Sequence, residues 1–255
     1  MYMENTENNN LIIYGKNAVS EILKSDKPRS VNALYVQKDG RGLGDVISLA
    51  KKHGITIKEV TPQKLDQMSE GNRNGGVAVA LSAIEYSSVE EILAESPSPF
   101  ILITDGIEDP HNLGALIRTA EAAGVDGVII PKRRCVQITS AVYSASAGAA
   151  AHLKIARVTN LVDAIKTLKE HGVWIYGAEA DGTPYSQAKL SKGESVALVI
   201  GSEGNGLGRL VRENCDFVIS IPMYGKINSL NASVSGGILM FEIAAKTKAE
   251  GGGQH

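Results

Sequence analysis

Cysteine is scarce in this chain: Cys135 and Cys215 are the only two among 255 residues, far apart and without Cys-x-x-Cys spacing. That excludes a disulfide framework and a zinc ribbon, and it fits a reducing compartment. Aromatic side chains are few, with one Trp, eight Tyr and three Phe, which argues against an extensive base-stacking platform. Neither sign of charge dominates, since the formal net charge is −2. The chain is therefore no histone-like polycation, although a local basic patch can still hold nucleic acid. No apolar run approaches the roughly 20 residues that span a bilayer. The polar, Asn-rich stretch Met1–Asn10 lacks the apolar core of a signal peptide. These absences lead us to expect a soluble, cytoplasmic protein with neither a membrane partner nor a bound metal. What is present is ordinary for a globular protein: 43% hydrophobic and 21% charged residues. The length suits one large or two modest domains.

Apolar runs and helical patterns alternate along the chain. Leu11–Tyr14, Val31–Val36, Ile55–Val60 and Val77–Leu81 read as strands. Helical faces at Ala18, Val19, Ile22 and Leu23, at Val46–Ala50 and at Pro62–Met68 lie between them. The Gly/Asn-rich stretch Ser69–Gly76 reads as a mobile loop. Together these predict a small α/β domain over residues 10–82. Serines and prolines around a short helical pattern, Val89–Leu93, mark residues 83–99 as a linker. A second domain, residues 100–249, opens on the strand Phe100–Thr104. Helices are expected at Leu113–Ala123, Ala141–Ala151, Leu161–His171 and Ala232–Lys246. Further strands are expected at Gly127–Ile130, Val173–Ala178, Val196–Ile200 and Phe217–Ile221, and the glycines from Gly251 form a frayed tail. The alternation predicts α/β architecture with largely parallel sheets in both domains.

Three stretches of the second domain carry candidate chemistry. In Asp105–Ala120 a strand end passes through a loop into a helix N-terminus, the usual ligand position in open α/β sheets. Asn112 is a natural helix cap there, and Arg118 faces either solvent or a site. The second, Gly201-Ser202-Glu203-Gly204-Asn205-Gly206-Leu207-Gly208, follows a buried strand, where glycines let backbone approach a ligand closely. It follows a late strand and contains no Gly-Lys-Ser/Thr, so it is neither a Rossmann fingerprint nor a P-loop. The third runs from Ile221-Pro222-Met223 to Ser229-Leu230-Asn231-Ala232-Ser233-Val234 and opens the last helix. One cap, Ser229 or Asn231, does not account for so many small polar residues in one turn.

In this order the three stretches resemble the motifs of the SPOUT superfamily, specifically the SpoU/TrmH-type RNA ribose 2′-O-methyltransferases. Asn112 and Arg118 stand in the Asn-x5-Arg positions of motif 1. Gly201-Ser202-Glu203-Gly204-x-Gly206 matches motif 2, and Ile221-Pro222-Met223 with Ser229-Leu230-Asn231-x-Ser233-Val234 matches motif 3. The first domain resembles the ribosomal-protein-like substrate-binding domain of the branch acting on ribosomal RNA. One departure is Asn74-Gly75-Gly76 where the family commonly has His-Gln-Gly.

The resemblance implies a trefoil-knotted catalytic domain with a mostly parallel sheet, an S-adenosylmethionine cofactor and a homodimer with its site near the interface. Gly201, Ile221, Met223, Ser229 and Leu230 would hold the cofactor. Asn112, Arg118, Glu203, Ser229 and Asn231 would be the catalytic or site-organising residues. For RNA contact the candidates are Arg73 and the run Lys132-Arg133-Arg134, with Arg41, Lys51 and Lys52 behind them.

Methyl transfer to a ribose hydroxyl is an in-line displacement, so aligning donor and acceptor can supply several kcal/mol, up to about 7–11 in ideal cases. Guanidinium is a poor general base, because removing its proton at pH 7 costs about 7–9 kcal/mol in general. A charged Arg118 that binds phosphate and stabilises the developing alkoxide is the better expectation. Glu203 is expected to organise the loops. The expected substrate is a guanosine of 23S ribosomal RNA. Transfer RNA or another rRNA nucleotide is the alternative within the class, and a non-catalytic RNA-binding assembly factor the alternative outside it.

Overall fold

The computed structural model describes residues 11–25, 31–82 and 85–248. The readings of Met1–Asn10 and of the glycine tail lie outside those residues. The chain divides into two units, one of residues 1–85 with 138–152, the other of residues 86–137 with 153–255.

The first unit holds strands β1 (Leu11–Tyr14), β2 (Val31–Gln37), β3 (Ile57–Val60) and β4 (Val77–Leu81) in the order β1-β4-β2-β3. Helices α1 (Lys16–Lys24), α2 (Gly44–Lys52) and α3 (Pro62–Met68) follow the first three strands. Only β2 and β3 are parallel, and β4 runs antiparallel between β1 and β2. This corrects the expectation of a largely parallel sheet. Every residue of β4 is buried, and such a run reports burial without reporting direction.

The loop expected to be mobile is tied down. Buried Asn74 donates to Asp66 Oδ1 at 2.9 Å and accepts from Gly76 N at 2.9 Å. Buried Ser69 donates to Asn72 O at 2.9 Å, so side-chain hydrogen bonds replace the missing secondary structure.

The second unit is built on six parallel strands: β5 (Phe100–Asp105), β6 (Gly127–Pro131), β7 (Lys154–Val158), β8 (Trp174–Pro184), β9 (Val196–Gly201) and β10 (Phe217–Ser220). Their order is β10-β8-β9-β5-β6-β7, with every neighbouring pair parallel. Helices α4 (Val89–Leu93), α7 (Leu161–Glu170) and α8 (Arg209–Glu213) share a core with Ile101, Ile103, Ala197 and Val199. Helices α5 (Pro110–Ala122) and α9 (Ala232–Thr247) pack on each other, with α9 also against β9. Because helices cover both faces, β5, β6 and β9 are buried apart from Asp105 at the end of β5.

Residues 86–99, expected within the connecting segment, belong to this unit. A capping box of Ser88 and Glu91 starts α4, and Val89 and Ile92 bury in its core. Sequence patterning did not show β7 or α8, both short. The helix expected over Ala141–Ala151 breaks into α6 (Ser140–Ala145) and a 3-10 turn, Ala149–Ala151, with left-handed Ala147 and Gly148 between them.

Candidate active site

The neighbours of β5 are β6, next in the chain, and β9, nearly a hundred residues later, so the strand order reverses beside β5. In open α/β sheets ligands collect outside the carboxyl ends of the strands at such a switch point. The loops leaving β5 and β9 meet there, and the loop leaving β10 joins them.

Each loop is shaped by local chemistry. Asp109, not Asn112, caps α5: its carboxylate accepts from the amides of His111 at 3.1 Å and Asn112 at 3.3 Å, and Pro110 follows at the first helical position. The Asn112 side chain is thereby left to reach across to the β9 loop. That loop folds back on itself, with Gly206 N donating to Ser202 O at 2.9 Å and Ser202 N donating to Gly206 O at 3.2 Å. A Cβ on Gly201 would stand 2.3 Å from the Gly206 carbonyl carbon, so only glycine fits. Asn231 caps α9 by accepting from Ser233 N at 2.9 Å and Val234 N at 3.3 Å.

Glu203 is the hub. Its Oε1 accepts from Asn112 Nδ2 at 2.9 Å, from Ala232 N at 3.4 Å and from Asn231 Nδ2. Asn231 Nδ2 also donates to Asn112 Oδ1 at 2.8 Å. One carboxylate oxygen therefore pins α5, the β9 loop and α9 together with charge-assisted bonds.

Two clefts flank this hub. The first, of about 190 Å3, has apolar walls that include Ile200, Ile219, Ile221 and Leu230, and polar groups that include Ser229, Asn228, Glu179 and Glu203. Gly201, Ile221, Met223, Ser229 and Leu230, the five residues expected to hold a cofactor, all line it. The second, of about 420 Å3, is lined by Asp105, Asp109, Asn112, Arg134 and the β9 loop. Glu203, Ser202 and Gly206 border both.

Arg118 lies elsewhere. It is exposed on α5, six residues from Asn112 and so about 120° around the helix, and it borders neither cleft. Among the expected RNA contacts, Lys132, Arg133 and Arg134 are exposed in the loop that leaves β6 at this same edge, whereas Arg73 belongs to the first unit.

Two carboxylates escaped the sequence reading. Glu179 Oε1 accepts from Leu207 N at 2.6 Å, and Asp105 Oδ2 accepts from Gly208 N at 2.7 Å, which fixes the far side of the β9 loop. Neither Cys135 nor Cys215 lines either cleft. Burial pushes both thiols up to about 11, which keeps them protonated and unreactive at neutral pH. Among the described residues no cluster of three or more His, Cys, Asp or Glu could hold a metal, and no helix is long and apolar enough to cross a membrane.

The SpoU rRNA methylase family model matches residues 99–241, and the model of the RNA 2′-O ribose methyltransferase substrate-binding domain matches residues 12–87. The chain belongs to the SpoU methylase family. As a member of that family it is an RNA methyltransferase. A relative in Bacillus subtilis, YacO, whose name places it in the TrmH family of tRNA/rRNA methyltransferases, is 46% identical over 245 residues, 94% of this chain and 97% of the relative. Among solved structures, the AdoMet-bound rRNA methyltransferase of Sinorhizobium meliloti has a TM-score of 0.79 at 24% identity, covering 92% of this chain and 87% of that one. The SpoU methyltransferase AviRb of Streptomyces viridochromogenes, in complex with AdoMet, has a TM-score of 0.78 at 20% identity, covering 92% and 89%. Both share the fold of this SpoU methylase.

Proposed function

We propose that this enzyme transfers a methyl group from S-adenosylmethionine to a ribose 2′-hydroxyl of RNA, with a guanosine of 23S ribosomal RNA as its substrate. The observation that carries this reading is the Glu203 hub, which holds an amphipathic cleft and a polar cleft side by side. The first cleft suits the donor. Its apolar walls match a purine, the tight Gly201 backbone permits close approach, and the carboxylates of Glu179 and Glu203 complement a cationic ligand. When bound, S-adenosylmethionine supplies a methyl group on a positively charged sulfur. Gly201, Ile221, Met223, Ser229 and Leu230 would hold it there.

Asn112, Asn231 and Ser229 position the loops around the reacting groups. Glu203, with an oxygen engaged by three N–H donors, organises rather than accepts the substrate proton. That proton leaves to a phosphate oxygen or to water. Charged Arg118 stabilises the developing alkoxide and an adjacent phosphate. Its position outside both clefts of its own chain supports a homodimer in which a second copy brings it in. Exposed Val234, Ile238 and Phe241 form an apolar stripe on α9, next to α5, and suit that interface.

The first unit with Arg73, and the run Lys132-Arg133-Arg134, contact RNA phosphates. We assign residues 10–82 to RNA binding and residues 100–249 to methyl transfer, the latter threaded as a trefoil knot, in a cytoplasmic protein. The test is methyl transfer from labelled S-adenosylmethionine to unmodified 23S, 16S and transfer RNA, with the product nucleoside identified. Label in 2′-O-methylguanosine of 23S RNA is the expected result. Label in transfer RNA alone reassigns the substrate. No label in any of them or in assembled particles, together with no binding of S-adenosylmethionine, overturns the methyl-transfer reading in favour of an assembly factor.

A further inference from the structure

A third cleft lies within the first unit, remote in sequence from the methylase motifs. It has a volume of about 360 Å3 and is bordered by Tyr14, Lys16, Asn17, Arg73, Gly75 and Ser144. That volume falls in the usual range for small-ligand sites, roughly 300–1,000 Å3. Two cations, an aromatic ring, an amide and a hydroxyl meet in it, and no carboxylate lines it.

The cleft is held in shape. Asn74, buried between Asp66, Ser69 and Gly76, fixes the loop that carries Arg73 on one side and Gly75 on the other. Gly75 has a left-handed φ of 59°, which favours glycine, and it packs in van der Waals contact with the start of α1, where a Cβ would stand 3.5 Å from Lys16 Cγ. Lys16 Nζ in turn donates to Arg41 O at 3.3 Å, which ties the loop after β2 to the same rim. A site already ordered in this way loses little freedom on binding. Burial and the nearby Glu70 carboxylate push the Tyr14 phenol up, so it stays a hydroxyl donor at neutral pH. Arg73 and Lys16 are both exposed, and Arg73 has no ion-pair partner among the described residues.

We infer that this cleft is a nucleotide subsite, which seats one unpaired residue of the substrate RNA with its phosphate at Lys16 and Arg73 and its base against Tyr14. Cations at a phosphate and an aromatic face at a base are the general means by which single-stranded RNA is held. The inference rests on the RNA-substrate reading above and deepens it. It also gives the Asn74-Gly75-Gly76 sequence a purpose: Asn74 is the loop's internal clamp, and Gly75 takes the left-handed backbone that turns the loop at the cleft's edge.

The test measures anisotropy of a fluorescein-labelled RNA stem–loop on the full-length protein over a range of salt. Arg73→Glu and Lys16→Glu are compared with Lys166→Glu, which alters an exposed cation on α7 of the other unit. Thermal unfolding and calorimetric binding of S-adenosylmethionine are followed in parallel. The cleft variants should bind RNA about tenfold more weakly than Lys166→Glu, and the slope of log affinity against log salt should shrink by about 0.7–0.9 for each lost phosphate contact. Donor binding should not change. Should Arg73→Glu unfold, Arg73→Ala gives the same comparison with less perturbation.

RNA binding by all variants at wild-type affinity and slope overturns the cleft assignment and leaves the methyltransferase reading standing. A wild-type protein that binds donor but no RNA overturns both. Protection by free AMP that disappears in Arg73→Glu, with RNA affinity unaltered, makes the cleft a mononucleotide site and overturns the RNA assignment.

Discussion

Asn112 donates to Glu203 at 2.9 Å across 91 residues of sequence. The bond joins the helix after β5 to the loop after β9, the two connections that the sheet order brings side by side. Asn231 completes it from a third segment, so the residues that motif reading separates into three groups act as one hydrogen-bonded object.

Glu203→Gln keeps an oxygen that can accept the same three bonds but removes the negative charge that strengthens them. The group is exposed, so stability should fall by no more than about 1 kcal/mol, while methyl transfer should fall about 100-fold or more. Turnover rate and unfolding midpoint, measured on the same sample, check this. A full rate in the glutamine variant removes Glu203 from the organising role.

Gly201→Ala should abolish measurable binding of S-adenosylmethionine by calorimetry, because its Cβ meets the Gly206 backbone at 2.3 Å and no flexible side chain can give way. The expected stability cost is about 1–3 kcal/mol. Gly204→Ala, where a Cβ meets nothing within 4 Å, is the control and should bind as the wild type does.

Much of this was legible beforehand for a physical reason. The runs Phe100–Ile103 and Val196–Ile200 are apolar at every position, the pattern of a short strand covered on both faces. The direction of β4 was not legible, since its burial says nothing about polarity. Asp109 as the cap of α5 was hidden by Asn112, an equally good cap residue three positions on. Glu179 gave no local signal at all: its partner Leu207 is 28 residues away and offers only a backbone amide. The loop Ser69–Gly76 has the composition of a mobile segment, yet side-chain hydrogen bonds between residues no more than eight apart hold it, a device that composition does not reveal.

Phe241→Glu should convert a homodimer to monomers in sedimentation without lowering the unfolding midpoint, because Phe241 is 53% exposed in the single chain and supports no core. Methyl transfer should fall with dimer content if Arg118 reaches the site from a second copy. A fully active monomer would refute that arrangement.

Stability should decline at alkaline pH from about pH 9 upward. Burial raises Cys135 and Cys215 to about 11 from 9.0, and burial with Glu194 and Asp216 raises Tyr176 to about 12 from 10.0. Below the unfolded values both states hold these protons and nothing is lost. As pH climbs from 9 toward 12 the unfolded chain ionises first, which draws the equilibrium away from the fold. Unfolding midpoints between pH 7 and pH 11 test it, and Cys135→Ser with Cys215→Ser should flatten the early part of the decline. Over pH 7–8 both thiols should alkylate about 100-fold more slowly than a free cysteine.

The strand order has a further consequence for how the enzyme comes into being. A ribosome releases β5 and its loop early, β9 much later and Asn231 later still, so the site is put together in stages. A nascent chain that stops before Asn231 can already pair all six strands and join Asn112 to Glu203, yet it lacks the contacts from Asn231 and Ala232. The cleft beside Glu203, lined by Ser229, Leu230, Ala232, Ser235 and Leu239, is therefore walled only once α9 has been made, in the chain's final stretch.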